Sequence, residues 1–166
     1  MPNETKSTDN QPIAKAAMLI RKPVAEVFEA FVNPDITSKF WFSRGIGRLD
    51  SGAAVEWFWD QYKVSAKVTP HQILKDQFIA FTWLSPDVIT TVEISFKPYG
   101  GHFTFISITE KGWDINREGL FELLAGQTEG WTLVLTSLKA LFEHNIKLGV
   151  IADRHPDLSM PELKTQ

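Results

Sequence analysis

The spacing of apolar residues first predicts a short strand and two helices. A short apolar run from Ile13 to Arg21 precedes Pro23. After it, apolar residues recur at intervals of three and four: Val24, Val27, Phe28, Phe31 and Val32. This period is that of an amphipathic helix, and proline suits its first turn. Asn33-Pro34 ends this helix and also fits the N-cap and first residue of a second, short helix through about Trp41.

Between about residues 45 and 109 the apolar period changes to two. The alternating sets are Val55, Trp57 and Trp59; Tyr62, Val64, Ala66 and Val68; Ile79, Phe81 and Trp83; and Val92, Ile94 and Phe96. Turn sequences separate them at Asp60-Gln61, Ser85-Pro86-Asp87 and Tyr99-Gly100-Gly101. This pattern predicts hairpin-linked antiparallel strands with one apolar and one largely wet face.

The apolar residues between His102 and Glu110 do not all fall on one face of a regular strand. Phe103 and Phe105 favour one face, whereas Ile106 and Ile108 favour the other. Either a β-bulge near Phe105 reconciles them, or the strand is covered on both sides. The sequence leaves both alternatives open.

The helical period returns in the last third of the chain. Its stripe consists of Leu124, Trp131, Leu135, Leu138 and Phe142. It predicts one helix from about Arg117 or Glu118 to Asn145, long enough to pack across a sheet. Gly126 and Gly130 lie inside it; a close approach by backbone or ligand would explain them, and so would a kink. The fold class is therefore α+β, with about six or seven antiparallel strands and a long C-terminal helix.

Length and composition indicate one domain with polar ends. We expect a disordered arm over residues 1–12, a single domain over 13–150 and a loose tail over 151–166. The net charge of −3 and the lack of a Lys/Arg block argue against nucleic-acid partners, and no apolar run is long enough for membrane insertion. The chain has no cysteine, and its first residues do not resemble a signal peptide, so a cytoplasmic location is expected.

Several local strings occur in a characteristic order along the chain. They are Pro23-Val24-Ala25-Glu26-Val27-Phe28, Asn33-Pro34 with Phe40-Trp41, Val68-Thr69-Pro70 with Phe81-Thr82-Trp83, Thr91-Val92-Glu93-Ile94, Ile108-Thr109-Glu110 before Gly112-Trp113, and Gly130-Trp131 before Leu135, Leu138 and Lys139. From Ala16 to about Asn145 the chain thereby resembles the activator of heat-shock-protein-90 ATPase homologue-like family, in the START/birch-allergen-like (SRPBCC) superfamily.

That resemblance implies a helix-grip fold, in which a curved sheet wraps around the long helix and leaves a cavity between them. Family members bind or transform apolar small molecules, and one eukaryotic branch regulates a chaperone ATPase. The family has no universal catalytic residue to carry over. Members commonly have Thr-His where this chain has Thr109-Glu110.

The aromatic residues and a few polar ones are the candidates for such a cavity. The predicted lining set is Trp41, Trp57, Phe81, Trp83, Phe96, His102, Glu118, Trp131 and Leu135. For each ring alone we favour core packing as the explanation, and for Glu118 with Glu122 the dipole at a helix N-terminus. Arg117 could hold a ligand carboxylate. No catalytic constellation, metal-ligand spacing or cofactor motif occurs, so no cofactor is expected.

Three functions follow as hypotheses. The first is a binding module for an apolar or amphipathic small molecule between sheet and long helix. The second is a regulator of a chaperone ATPase, or a homodimer, acting through exposed rings such as Phe58, Phe103 and Phe105. The third is an enzyme of cyclase or hydratase type, which would require a buried ionisable pair.

Overall fold

A seven-stranded antiparallel sheet forms the framework in the computed structural model, which describes residues 10–162. The strands are β1 (Ile13–Ile20), β2 (Arg44–Ile46), β3 (Val55–Trp59), β4 (Val64–Leu74), β5 (Phe78–Leu84), β6 (Ile89–Tyr99) and β7 (Phe103–Lys111). Their order in the sheet is β1-β7-β6-β5-β4-β3-β2. From β7 to β2, strands that are neighbours in the sheet are also consecutive in the chain. The β1 strand forms one edge of the sheet and pairs with β7. The predicted strand number is confirmed.

Five helices accompany the sheet in the described part of the chain. They are α1 (Val24–Val32), α2 (Pro34–Thr37), α3 (Leu120–His144), α4 (Val150–Asp153) and α5 (Pro156–Ser159). The Asn33 side chain accepts a hydrogen bond from the Asp35 amide at 3.1 Å, as predicted for an N-cap. The α2 helix ends at Thr37 instead of reaching Trp41, and α3 begins at Leu120, two or three residues later than predicted.

The core lies between the inward face of the sheet and the apolar sides of α1 and α3. From α1 it receives Val27, Phe28 and Phe31, each at most 4% exposed. The stripe of α3 is buried from Trp131 to Leu138, which confirms the predicted packing of that helix against the sheet. Burial of apolar area at about 25 cal/mol per Å² is the main force that holds helix and sheet together.

The β7 strand alternates regularly and has no bulge. It keeps an unbroken register with both β1 and β6, and Thr104, Ile106 and Ile108 face inward. Of the two alternatives for this strand, the bulge near Phe105 is therefore wrong. Phe103 and Phe105 lie on the outer face, 36% and 39% exposed, so that face is not covered either. The register shift of the sheet is instead in β4, between Pro70 and Gln72.

The two ends of the chain differ from each other. Residues 1–9, most of the predicted arm, lie outside the described residues. Where the sequence predicts a loose tail, α4 and α5 lie against the domain: the Tyr62 hydroxyl donates to the Ile151 carbonyl, and Arg154 forms a 2.7 Å ion pair with Glu129 of α3. None of the helices in residues 10–162 has the length and apolar character needed to cross a bilayer.

Candidate functional site

Three tryptophans from distant parts of the chain meet between the sheet and α3. Trp41 follows α2, Trp83 lies near the end of β5, and Trp131 lies midway along α3. Their ring centroids are 5.1 Å apart for Trp41 and Trp131, 5.7 Å for Trp83 and Trp131, and 6.1 Å for Trp41 and Trp83. Contacts of this length are attractive between aromatic rings, so the three indoles form one cluster.

A small cavity of about 150 Å³ lies against this cluster. Its lining consists of Trp41, Trp83, Gln127, Gly130, Trp131, Val134 and Ile151. A surface groove of about 770 Å³ continues along β3, β4 and β5 and shares Trp83 and Gln127 with the cavity. The cavity and the groove are therefore adjacent.

Glu110 is a buried carboxylate directly behind two of these indoles. Its side chain is 0% exposed. Trp83 Nε1 donates to Glu110 Oε1 at 2.9 Å, and Trp131 Nε1 donates to Oε2 at 2.8 Å. The Thr90 hydroxyl contacts Oε1 at 2.7 Å. Because indole N–H groups can only donate, Glu110 serves as their shared acceptor.

Strand register explains how these groups converge. Glu110 continues the inward parity of Ile106 and Ile108 at the end of β7. It lies opposite Val92 of β6, while Thr90 lies opposite Trp83 of β5. Hydrogen bonds to a charged acceptor contribute about 1.5–3 kcal/mol each, so the network fixes both indoles and ties α3 to the sheet.

Sequence reasoning missed Glu110 as a site residue. The signal was present, because Glu110 is the ionisable residue among the inward positions of β7, which are otherwise Thr104, Ile106 and Ile108, and the resembling family commonly has histidine at this position. An ionisable residue in a core position requires partners, and the chain's tryptophans are donors that can supply them. Glu110 was missed because the two alternatives left open for β7 did not fix which side chains of this strand face the core.

The predicted cavity residues divide into three groups. Trp41, Trp83 and Trp131 line the cavity. Trp57, Phe81, Phe96 and Leu135 lie in the closely packed core, each at most 4% exposed, and Trp57 stacks on Phe42 with centroids 4.9 Å apart.

The remaining predicted residues, His102 and Glu118, are exposed and do not reach the cavity. His102 lies in the turn before β7, about 26 Å from Glu110 at 3.3 Å per strand residue. Glu118 precedes α3 on the surface. Arg117 donates to both carboxylate oxygens of Asp87, at 2.7 and 3.0 Å. These hydrogen bonds lower the pKa of Asp87 and engage the guanidinium that had been a candidate for a ligand carboxylate.

The site has an apolar surface suited to binding, but few groups that could react with a bound molecule. Both Glu110 oxygens are engaged by donors, and the side chain is fully buried, so it does not reach a molecule in the cavity directly. Across residues 10–162, no group of three or more His, Asp or Glu side chains has the geometry of a metal site.

A curved antiparallel sheet that holds a long C-terminal helix over an aromatic cavity is the helix-grip architecture. The sequence model of the family described as "Activator of Hsp90 ATPase homolog 1-like protein" matches residues 21–143. The chain belongs to this family. A search among curated proteins gave no sequence match.

Solved structures agree with this assignment. Protein SSP2350 from Staphylococcus saprophyticus is 30% identical, with a TM-score of 0.71 over 82% of this chain and 95% of its own. Two more distant structures share the fold. The Aha1 dimer from Colwellia psychrerythraea is 14% identical, with a TM-score of 0.65 over 80% of this chain and 96% of its own. DynU16, a putative protein in the dynemicin biosynthetic locus, is 15% identical, with a TM-score of 0.71 over 82% of this chain and 49% of its own.

Proposed function

We propose that this protein binds an apolar or amphipathic small molecule, with one end in the cavity at Trp41, Trp83 and Trp131 and the rest along the adjoining groove. The observation that carries the proposal is the aromatic cavity itself, about 150 Å³ in volume, between α3 and the sheet. Apolar walls with few polar groups are the usual form of a small-molecule site.

The volumes decide how such a ligand would lie. Small-molecule sites are typically about 300–1,000 Å³, so the cavity alone is too small for a whole ligand of ordinary size. The groove adds about 770 Å³ and contributes Trp59, Val64 and Leu84 as apolar contacts. An elongated ligand, with a compact end inside and a longer part outside, fits this arrangement best.

The glycines of α3 support the same proposal. Apart from its chain neighbours and the nearby backbone of α3 itself, a Cβ atom built at Gly130 would have no atom of the described residues within 4 Å, although the residue lines the cavity. Close packing by the protein therefore does not explain this glycine. Because glycine destabilises a helix interior by about 1 kcal/mol relative to alanine, open space at Gly130 is consistent with room kept for a ligand.

A protein partner is the second candidate, and a different surface favours it. On the outer face of the sheet, Phe103 lies opposite Tyr99, which is 57% exposed, and Phe105 lies nearby on the same strand. Exposed rings on one face can mark an interaction site. A chaperone or a second copy of the chain could bind there, and pull-down with a chaperone plus sedimentation analysis would test both partners.

An enzyme of cyclase or hydratase type would need a second ionisable group beside the buried carboxylate. Among the described residues, the polar partners of Glu110 are two indoles and one hydroxyl. We therefore favour binding over catalysis for this cavity.

The main experiment compares two matched substitutions in α3. Gly130→Leu places a side chain at the cavity, whereas Gly126→Leu places the same side chain one turn earlier, on an exposed part of the helix. The neutral fluorescent probe N-phenyl-1-naphthylamine should bind the wild type and Gly126→Leu alike, and Gly130→Leu at least about tenfold more weakly.

Equal binding by both variants would contradict the proposal. Native mass spectrometry of the freshly purified wild type gives an independent check, because a small molecule retained from the cell should appear as added mass and be reduced in Gly130→Leu.

A further inference from the structure

The side chains around the cavity are mainly aromatic and apolar. The indole N–H groups of Trp83 and Trp131 both point to Glu110, so neither donates into the cavity. Gln127 donates one amide N–H to Ser85 Oγ at 3.3 Å, which leaves its carbonyl oxygen as an acceptor and its second N–H as a donor. The remaining lining residues, Gly130, Val134 and Ile151, carry no polar side chain.

Three donors contact the two oxygens of Glu110, which is an arrangement that suits an ionised carboxylate, and this carboxylate has no cationic counterpart nearby. Glu110 forms no ion pair with any Lys, Arg or His of residues 10–162, since its partners are the two indoles and Thr90. A buried charge acts strongly on its surroundings because water does not screen it. The cavity on the other side of Trp83 and Trp131 is therefore favourable for positive charge.

The aromatic rings reinforce this preference. The face of an indole carries negative electrostatic potential and attracts a cation within about 6 Å of the ring centroid. Donation of N–H to a carboxylate adds electron density to the ring, which strengthens the attraction. All three indoles line the cavity and their centroids are 5.1–6.1 Å apart, so one compact group in it could contact more than one ring.

We propose that the inner end of the ligand is a cation, of the alkylated ammonium class, seated against Trp41, Trp83 and Trp131 with the Glu110 carboxylate as its counter-charge behind the rings. This inference rests on the proposed binding function and specifies the ligand's headgroup. Such a group is compact enough for a cavity of about 150 Å³, and its apolar remainder would follow the groove.

The test compares choline with its uncharged isostere 3,3-dimethyl-1-butanol, which replaces the ammonium nitrogen by carbon. Both are measured by displacement of N-phenyl-1-naphthylamine and by direct titration. In the wild type we expect choline to bind about tenfold more tightly than the isostere. In Glu110→Gln, which removes the charge but keeps an acceptor, this ratio should fall at least about threefold.

Glu93→Gln is the matched control. It removes one negative charge from β6, where Glu93 pairs with Lys111 at 3.0 Å away from the cavity, and should leave the ratio unchanged. Replacement of tryptophan by 5-fluorotryptophan gives a second reading if Glu110→Gln does not fold. It keeps the carboxylate but weakens the π faces, so the ratio should again fall.

The outcomes separate the two proposals. If the naphthylamine probe binds but choline shows no advantage over its isostere, or if the advantage survives both Glu110→Gln and fluorination, the cationic headgroup is wrong and the binding function remains. If neither these molecules nor the probe binds the wild type, both proposals fall.

Discussion

The two halves of α3 are parts of one continuous helix but have different surroundings. From Trp131 to Leu138 the helix contributes five buried residues, and Leu135 and Leu138 are 0% exposed. From Leu120 to Gly130 it contributes none, and Phe121 is 85% exposed. The second half belongs mainly to the core, although its Trp131 and Val134 also line the cavity. The first half contributes Gln127 and Gly130 to the cavity and Gln127 to the groove.

This difference shows that one helix can serve two purposes when its packing is uneven. The buried half is fixed by the sheet, and Trp131 at its beginning is also held by Glu110. The open half is free of packing demands and contains both glycines. A ligand wall that is not needed for folding can change its side chains with little effect on stability.

The largest effect should come from the buried half. Leu135→Ala would remove a fully buried side chain and leave a cavity, so we expect a loss of about 3–4 kcal/mol in the free energy of unfolding. Phe121→Ala in the open half should change it by less than about 0.5 kcal/mol. Urea denaturation of both variants measures the contrast, and similar losses would show that the halves are equivalent.

Removal of the buried carboxylate should rank next. Glu110→Ala would leave two indole N–H groups and the Thr90 hydroxyl without their acceptor, and we expect a loss of about 2–3 kcal/mol. Glu122→Ala, on the exposed half of α3, is the control and should be nearly neutral. Unchanged stability of Glu110→Ala would mean that the network does not fix the helix.

Replacement of either glycine of α3 by alanine should increase the stability of the protein. Because a Cβ at either position meets open space, Gly126→Ala and Gly130→Ala should each raise the free energy of unfolding by about 1 kcal/mol. Thermal unfolding would measure this. A loss of stability at either position would show that the open half needs its glycine for the fold itself.

The smallest effect concerns the attachment of the buried half to β1. Burial opposes ionisation of Glu143, but hydrogen bonds from Lys139 at 2.7 Å and from the Arg21 amide at 2.8 Å outweigh it and lower the pKa of Glu143. Since this pKa is lower in the folded state, the stabilisation is present above about pH 4.5 and is lost as the pH falls through the folded-state value.

Glu143→Gln should therefore be less stable than the wild type at pH 7, by less than about 1 kcal/mol, with the difference shrinking as the pH falls below about 4.5. Urea denaturation at several pH values would follow it. Glu129→Gln removes the half-exposed pair with Arg154 on the open half and is the matched variant for the loss of an ion pair at pH 7, where it should change stability by less than about 0.5 kcal/mol. A difference for Glu143→Gln that persists at low pH would contradict the assignment to ionisation.

Sequence periodicity predicted the sheet and α3 because burial imposes a period of two or 3.6 on the apolar residues. It predicted Trp41, Trp83 and Trp131 as cavity residues, but it could not separate them from Trp57 and Phe81, which share the same parity and are packed in the core. That distinction depends on which rings α3 leaves uncovered. The role of Glu110 depends on contacts with residues 20 to 27 positions away along the chain, and no local pattern reveals those partners.

The most direct test of the binding site is an NMR titration of ¹⁵N-tryptophan-labelled protein with N-phenyl-1-naphthylamine, because each of the six tryptophans gives one indole signal. If the ligand occupies the cavity, the signals of Trp41, Trp83 and Trp131 should shift most. Trp113, whose indole donates to the Ser85 carbonyl at 2.9 Å and which does not line the cavity, should shift little. Equal shifts of all six signals, or none in Trp41, Trp83 and Trp131 while the probe binds, would contradict the account.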